Sequence, residues 1–172
     1  MAVGTQGLDF EEFYRGSKDQ CLLTVMVSVG DKDMAQDLVA EAFARAWASW
    51  RAVSRHPAPT AWVVRTALNV SISRWRRRRR EILMPDPGRI EGRSAIGGVA
   101  GSSVDPRIMA ALLRLPARQR QVVALRLFLD LDTSHTAEAL GIAPGTVQAH
   151  LGRAIAALRD DLVRERSRET PP

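Results

Sequence analysis

The sequence has one cysteine in 172 residues, two lysines, and no apolar run near the ~18 residues of a membrane span. With Cys21 alone, no disulfide can form within the chain, and no cysteine zinc site can be built. Cys21 sits in an apolar stretch and reads as core. His56, His135 and His150 are scattered and lack ligand spacing, so no metal and no cofactor is expected. No basic segment followed by an apolar one opens the chain, so a signal peptide is not expected. The expectation is a soluble, cytoplasmic protein without membrane contact. No nucleophile–base pair and no phosphate-cradling glycine loop is visible, which argues against an enzyme. Alternation and β-branched runs are scarce, so the expected fold class is all-α.

Arginine is what the chain has in excess. Lys18 and Lys32 are the only lysines among 25 basic residues. Two explanations stay open: a GC-rich genome, or a use for the planar guanidinium, which pairs bidentately with phosphate and guanine. The distribution of charge says more than the net +6. Residues 1–64 hold six basic and eight acidic side chains, net −2. Residues 65–81 hold seven arginines and Glu81, net +6. Residues 82–104 are neutral, and 105–172 carry net +2. The excess therefore sits in one segment ending in "SRWRRRRRE". Six arginines in seven positions repel one another, so the block reads as a footprint for phosphate or another acidic partner.

The stretch "PDPGRIEGRSAIGGVAGSSVDP", 85–106, holds five of the twelve glycines and three of the nine prolines. It reads as a flexible linker between two small helical domains. Such a coil has a typical end-to-end distance of ~25–29 Å and a reach of ~75 Å. The expected division is 1–82, a linker at 83–104, a second domain at 105–166, and a frayed tail at 167–172. Each lobe of about sixty to eighty residues buries only a marginal core.

In the first lobe, Leu8 to Val29 reads as a helix, with Asp31 or Asp33 capping the next. From Met34 to Trp50 a wide apolar stripe includes Leu38, Val39, Phe43, Trp47 and Trp50. Asp37, Glu41 and Arg45 share the opposite face: an ordinary solvated face, or an acidic docking stripe. After "RHPAPT", Thr60 suits the cap of a third helix that buries Val64, Leu68, Ile72 and Trp75. At about 100° per residue, Trp62, Arg65, Thr66, Asn69, Ser73, Arg76, Arg77 and Arg80 fall near one line. Guanidiniums hold phosphates, amides read base edges, and aromatics stack on exposed bases.

The second lobe carries a sharper pattern. Pro116 suits the start of a helix with Val122, Val123, Leu125, Leu127 and Phe128. Asp132 suits the cap of a short helix, Thr133 to Leu140. Gly141 makes a turn, and Pro144 suits the first position of a longer helix. Val147, Leu151, Ala154, Ile155, Leu158 and Leu162 are its expected buried side. This is a helix-turn-helix, whose second helix enters the major groove by its N-terminal end. Thr146, Gln148, Ala149 and Arg153 are the early exposed positions with base-reading chemistry.

Taken together, "FEEFYRG", "DLVAEAFARAWASW", "AWVVRTALNVSISRWRRRRR", "LPARQRQVVALRLFLDL" and "AEALGIAPGTVQAHLGRAIAALR" resemble the extracytoplasmic function (ECF, group 4) sigma factors. The order is that of the family, over nearly the whole chain. The arginine-rich form is similar to a SigE-like actinobacterial group. The resemblance implies a sigma factor that recognises −10 and −35 promoter elements and promotes transcription initiation. The implied partners are core RNA polymerase, through its beta and beta-prime subunits, promoter DNA and an anti-sigma protein. Asp37, Glu41 and Phe43 match the helix that docks on the beta-prime clamp helices. Asn69 matches the asparagine that meets an extruded −10 base. Trp62, Arg65 and the arginines from Arg74 to Arg80 would lie along the −10 DNA. The last helix would read the −35 element.

The stretch 132–136 departs from the pattern. Thr133 replaces a tyrosine, His135 a glutamate and Thr136 an isoleucine, and the last exchange should loosen the short helix. A surface role is the plainer reading of His135. Two other functions remain at this stage: a DNA-binding regulator that uses only the C-terminal lobe, and a protein-interaction module that binds an acidic partner.

Overall fold

A computed structural model describes residues 9–81 and 104–169 of the chain. Among these residues there are eight helices and no strand. The first, α1 (Phe10–Val29), stops where Gly30 turns left-handed at φ +77°. Its N–H closes the end by bonding Met26 O at 2.8 Å. The second, α2 (Lys32–Ala48), is capped by Asp31, which accepts from Met34 N–H at 2.8 Å. The helix breaks at Ser49, so Trp50 belongs to a separate short turn, α3 (Trp50–Val53). The next helix, α4 (Pro59–Glu81), opens on proline. Thr60 thus lies inside the first turn rather than capping it. Just before the helix, His56 Nδ1 accepts from Ala58 N–H at 3.0 Å.

In the second lobe, α5 (Pro106–Arg114) begins just past the expected linker, 83–104, on the last proline of the glycine-rich stretch. Asp105 caps it by accepting from Arg107 N–H at 2.8 Å. Residues 85–103 of the glycine-rich stretch lie outside the described residues. Then come α6 (Ala117–Phe128), α7 (Thr133–Leu140) and α8 (Pro144–Glu169). Residues 167–169, expected to fray, continue α8. No glycine or proline interrupts the chain before Pro171, and arginine and glutamate are good helix formers. Arg114 also ties α8 to α5, reaching Asp161 at 2.6 Å and Glu165 at 2.7 Å.

Val25, Val27, Leu38, Ala42, Val63, Val64 and Ala67 of α1, α2 and α4 are completely buried. In the second lobe Leu112, Leu125 and Ala154 do the same for α5, α6 and α8. These two sets belong to one continuous core, because α1 packs along α6. Gln20 Nε2 donates to Phe128 O at 2.6 Å across that contact. Arg120 lies over Gly30, where a Cβ would come within 3.2 Å of its Nη2. It also donates to Leu113 O and Leu115 O, each at 3.2 Å. The lobes are therefore packed on each other, where the sequence led us to expect units joined by a tether alone. The physical reason is size: each lobe is too small to bury all its apolar surface by itself.

Candidate nucleic-acid and protein interfaces

Helix α4 divides as its periodicity predicts. Val63, Val64, Ala67, Leu68 and Val70 are buried. Arg65, Asn69, Ser73, Arg76 and Arg77 are all exposed along one line. Guanidinium, amide and hydroxyl groups thus project to solvent from a rigid element. Trp62 is half-buried and packs against the core, so its ring only borders this stripe. Arg80 continues α4, but its side chain, like those of Trp75, Arg78 and Arg79, lies outside the described residues.

Arg74 behaves differently. It lies about 140° around the helix from Asn69, and its Nη2 is 2.5 Å from Glu41 Oε2. It is a strut from α4 to α2, facing away from the polar stripe. The other oxygen of Glu41 takes Arg45 Nη2 at 2.6 Å. Asp37, one turn earlier, is exposed and has no ion pair among the described residues. Asp33, a further turn back, is likewise exposed and unpaired, so among the described residues the acidic face of α2 holds two bare carboxylates and one neutralised by two guanidiniums.

Phe43 does not belong to that face. It is 4% exposed and meets Tyr14 edge-on with ring centroids 4.9 Å apart. At about 120° from Asp37 around α2 it points into the core. Trp47, about 80° from Asp37, is 63% exposed although it reads as part of the buried stripe. Its ring leans on Phe10 at 4.9 Å. The angular difference between the two aromatics was available in the sequence and is the signal that separates them.

The helix-turn-helix forms around three punctuating residues. Asp132 caps α7, accepting from His135 N–H at 2.8 Å. That backbone bond, with the His135 ring at 2.9 Å, holds the Asp132 carboxyl below the usual carboxylate range. Gly141 turns left-handed at φ +64°, and Ile142 N–H bonds Ala137 O at 3.1 Å. Pro144 then opens α8. Val147 and Ala154 are fully buried, and Thr146, Gln148, Ala149 and Arg153 are exposed. A methyl group at Gly152 would meet nothing within 4 Å. Ile155 and Leu162, expected inside, are exposed. Thr136 is completely buried and its Oγ1 has no hydrogen-bond partner.

Burial pushes the Cys21 thiol up to about 12, so it stays protonated and inert. Among the described residues no group of three or more His, Cys, Asp or Glu is placed to hold a metal ion. None of the described helices is long and apolar enough to cross a membrane.

The comparisons with known proteins bear on both lobes. The sigma-70 region 2 family matches residues 22–81, and sigma-70 region 4 matches residues 106–158. The RNA polymerase sigma-E factor of Streptomyces coelicolor is 33% identical over 157 residues, covering 91% of this chain and 87% of the relative. The ECF RNA polymerase sigma factor SigW of Bacillus subtilis is 26% identical over 157 residues, covering 84% of each. Among solved structures, the sigma factor RpoE of Bartonella quintana, in complex with the anti-sigma factor NepR, superimposes with a TM-score of 0.75. That likeness has 26% sequence identity and covers 90% of this chain and 96% of that one. Both lobes match, in order, which sets aside a stand-alone regulator that would use the second lobe only. The chain belongs to the sigma-70 family and is an RNA polymerase sigma factor of the ECF type.

Proposed function

We propose that the N-terminal lobe, 1–82, docks on core RNA polymerase by α2 and holds the −10 element with α4. The second lobe, 105–166, reads the −35 element with the start of α8. The observation that carries this is the one-sided polar stripe of α4, where Arg65, Asn69, Ser73, Arg76 and Arg77 are exposed above a fully apolar underside. Asn69 meets an extruded base, and the arginines hold flanking phosphates. Capture of a flipped base offsets part of the unstacking cost of strand opening. Thr146, Gln148, Ala149 and Arg153 face the major groove. Asp37 is the principal acid of the docking face, and Trp47 supplies apolar area beside it. Glu41 is shared with Arg45 and Arg74, and Phe43 supports the face from below. The chain acts in the cytoplasm, carries out no chemistry of its own, and is held in check by an anti-sigma protein.

The test is binding to purified core polymerase, wild type beside Asp37→Arg. Loss of at least tenfold in affinity, ~1.4 kcal/mol, is the expected result. Asp37 is preferable to Glu41 as the site of reversal, because Glu41→Arg would also strand Arg74 and Arg45. Failure of the wild type to bind polymerase would remove the reading. Binding that survives Asp37→Arg would keep the function and discard the docking face.

A further inference from the structure

Glu41 and Arg74 join the two surfaces of the N-terminal lobe that are assigned above to different ligands. Glu41 belongs to the acidic face of α2, and Arg74 to the arginine block of α4. Their side chains meet at 2.5 Å, 33 positions apart in sequence, and both are partly exposed. Burial therefore locks neither in place. Arg74 lies about 60° around α4 from Arg77 and about 4.5 Å from it along the axis. Released from Glu41, its long side chain has the flank of the polar stripe within reach. Glu41 has one oxygen on Arg74 and the other on Arg45. A cation brought to this face by a partner meets two guanidiniums there and repels both. Arg45 stands on the same helix at i+4. Arg74 reaches over from another helix, and it has phosphates to turn to.

We propose that the Glu41–Arg74 pair is an electrostatic latch that couples the docking face of α2 to the DNA face of α4. The proposal rests on the polymerase and −10 readings given above. A polymerase cation that takes Glu41 frees Arg74 for a DNA phosphate. A phosphate that takes Arg74 frees Glu41 for the polymerase. Each exchange replaces one charge-assisted pairing by another of the same kind. The coupling is reciprocal, so each ligand raises the affinity for the other by the same factor. An ion pair this exposed limits that factor to roughly twofold to fivefold.

The experiment uses the full chain in two separate assays. One measures binding of the free chain to a fluorescein-labelled single-stranded DNA 20-mer of mixed sequence. The other measures binding to purified core polymerase without DNA. Glu41→Gln should tighten DNA binding roughly twofold to fivefold, because Arg74 is released. Arg74→Gln should tighten polymerase binding by a similar factor, because Glu41 is released. Each change also alters the net charge, and Glu41→Gln frees Arg45 as well. Both gains are therefore measured again in the double variant Glu41→Gln/Arg74→Gln, where only those side effects remain. The latch requires the DNA gain to shrink without Arg74 and the polymerase gain to shrink without Glu41. A gain of equal size in both backgrounds overturns it. A pair that only orients α4 on α2 predicts losses in both assays, and that result overturns the latch too. Two further results separate the latch from the readings beneath it. If Asn69→Ala with Arg76→Ala leaves DNA binding intact, the α4 reading has failed. If the wild type does not bind polymerase, the docking reading has failed. If both readings hold and neither gain appears, only the latch has failed.

Discussion

Phe10, Phe13, Tyr14, Phe43, Trp47 and Trp50 touch one another in the N-terminal lobe. From Leu129 to Glu169, by contrast, the chain has no Phe, Trp or Tyr at all. The first lobe is held by large apolar side chains. The helix-turn-helix closes around Val122, Ala137 and Val147, with Leu140, Ile142 and Leu151 at the rim. It relies on caps, a left-handed glycine and ion pairs to fix its geometry. The lesson is a division of labour in energetics. On the proposed roles, a lobe that helps melt DNA must stay rigid, and burial supplies that. A lobe that presents one helix to a groove needs angles more than mass, and polar punctuation supplies those. The cost is that the second lobe answers to pH through the Asp132 cap, whose carboxyl is held below the usual range.

The comparison can be broken most forcefully in the core of the first lobe. Leu38 is completely buried, and Leu38→Ala should cost ~2–5 kcal/mol. Urea unfolding followed by tryptophan fluorescence measures it, since all four tryptophans lie in the N-terminal lobe. A cost below ~1 kcal/mol would mean that this core is looser than its burial indicates. The next effect has the opposite sign. Thr136→Val removes a buried hydroxyl without a partner and keeps the shape, so α7 should gain ~1–2 kcal/mol. Hydrogen exchange at the amides of α7 would show the gain as slower exchange.

Acid sharpens the contrast further. The Asp132 carboxyl is depressed in the folded chain by its bonds to His135. Its stabilisation is therefore fully present above the ordinary carboxylate range and is lost as pH falls through the depressed value. Asp132→Asn keeps a capping side chain and should abolish that acid sensitivity in the second lobe. Circular dichroism melts at descending pH should show the wild type losing its margin over Asp132→Asn, the two proteins converging in acid. The smallest effect belongs to Arg114, which clamps α5 to α8 from an exposed position. Arg114→Ala should cost under ~1 kcal/mol at low salt and nearly nothing at high salt. A cost independent of salt would mean that the apolar stem of Arg114 matters more than its charge.

Legibility followed the same divide. Asp132, Gly141 and Pro144 each have one strong local preference, so α7 and the start of α8 could be placed to the residue. The polar stripe of α4 was legible because its period runs unbroken over several turns. Asp105 and Pro106 make an equally good helix start, but they sit at the end of a glycine-rich stretch, and that composition hid α5. Phe43 and Trp47 were pooled in one stripe because the stripe was drawn too wide. Arg74 was grouped with its neighbours by charge, although its angle sends it to Glu41. The packing of α1 on α6 was out of reach. Phe128 and Leu129 look like core for their own lobe, and nothing local says that a helix from far up the chain covers them.

That long-range contact has a consequence during synthesis. Gln20 and Phe128 are 108 positions apart. At ~5–20 residues per second, a ribosome needs about 5–20 s to deliver the second after the first. Helices α2 and α4 arrive within that interval and can fold on α1, while the flank of α1 that meets α6 stays bare. Each nascent chain therefore spends seconds with an unpaired apolar edge, and the pace of translation between residues 81 and 128 becomes a determinant of yield.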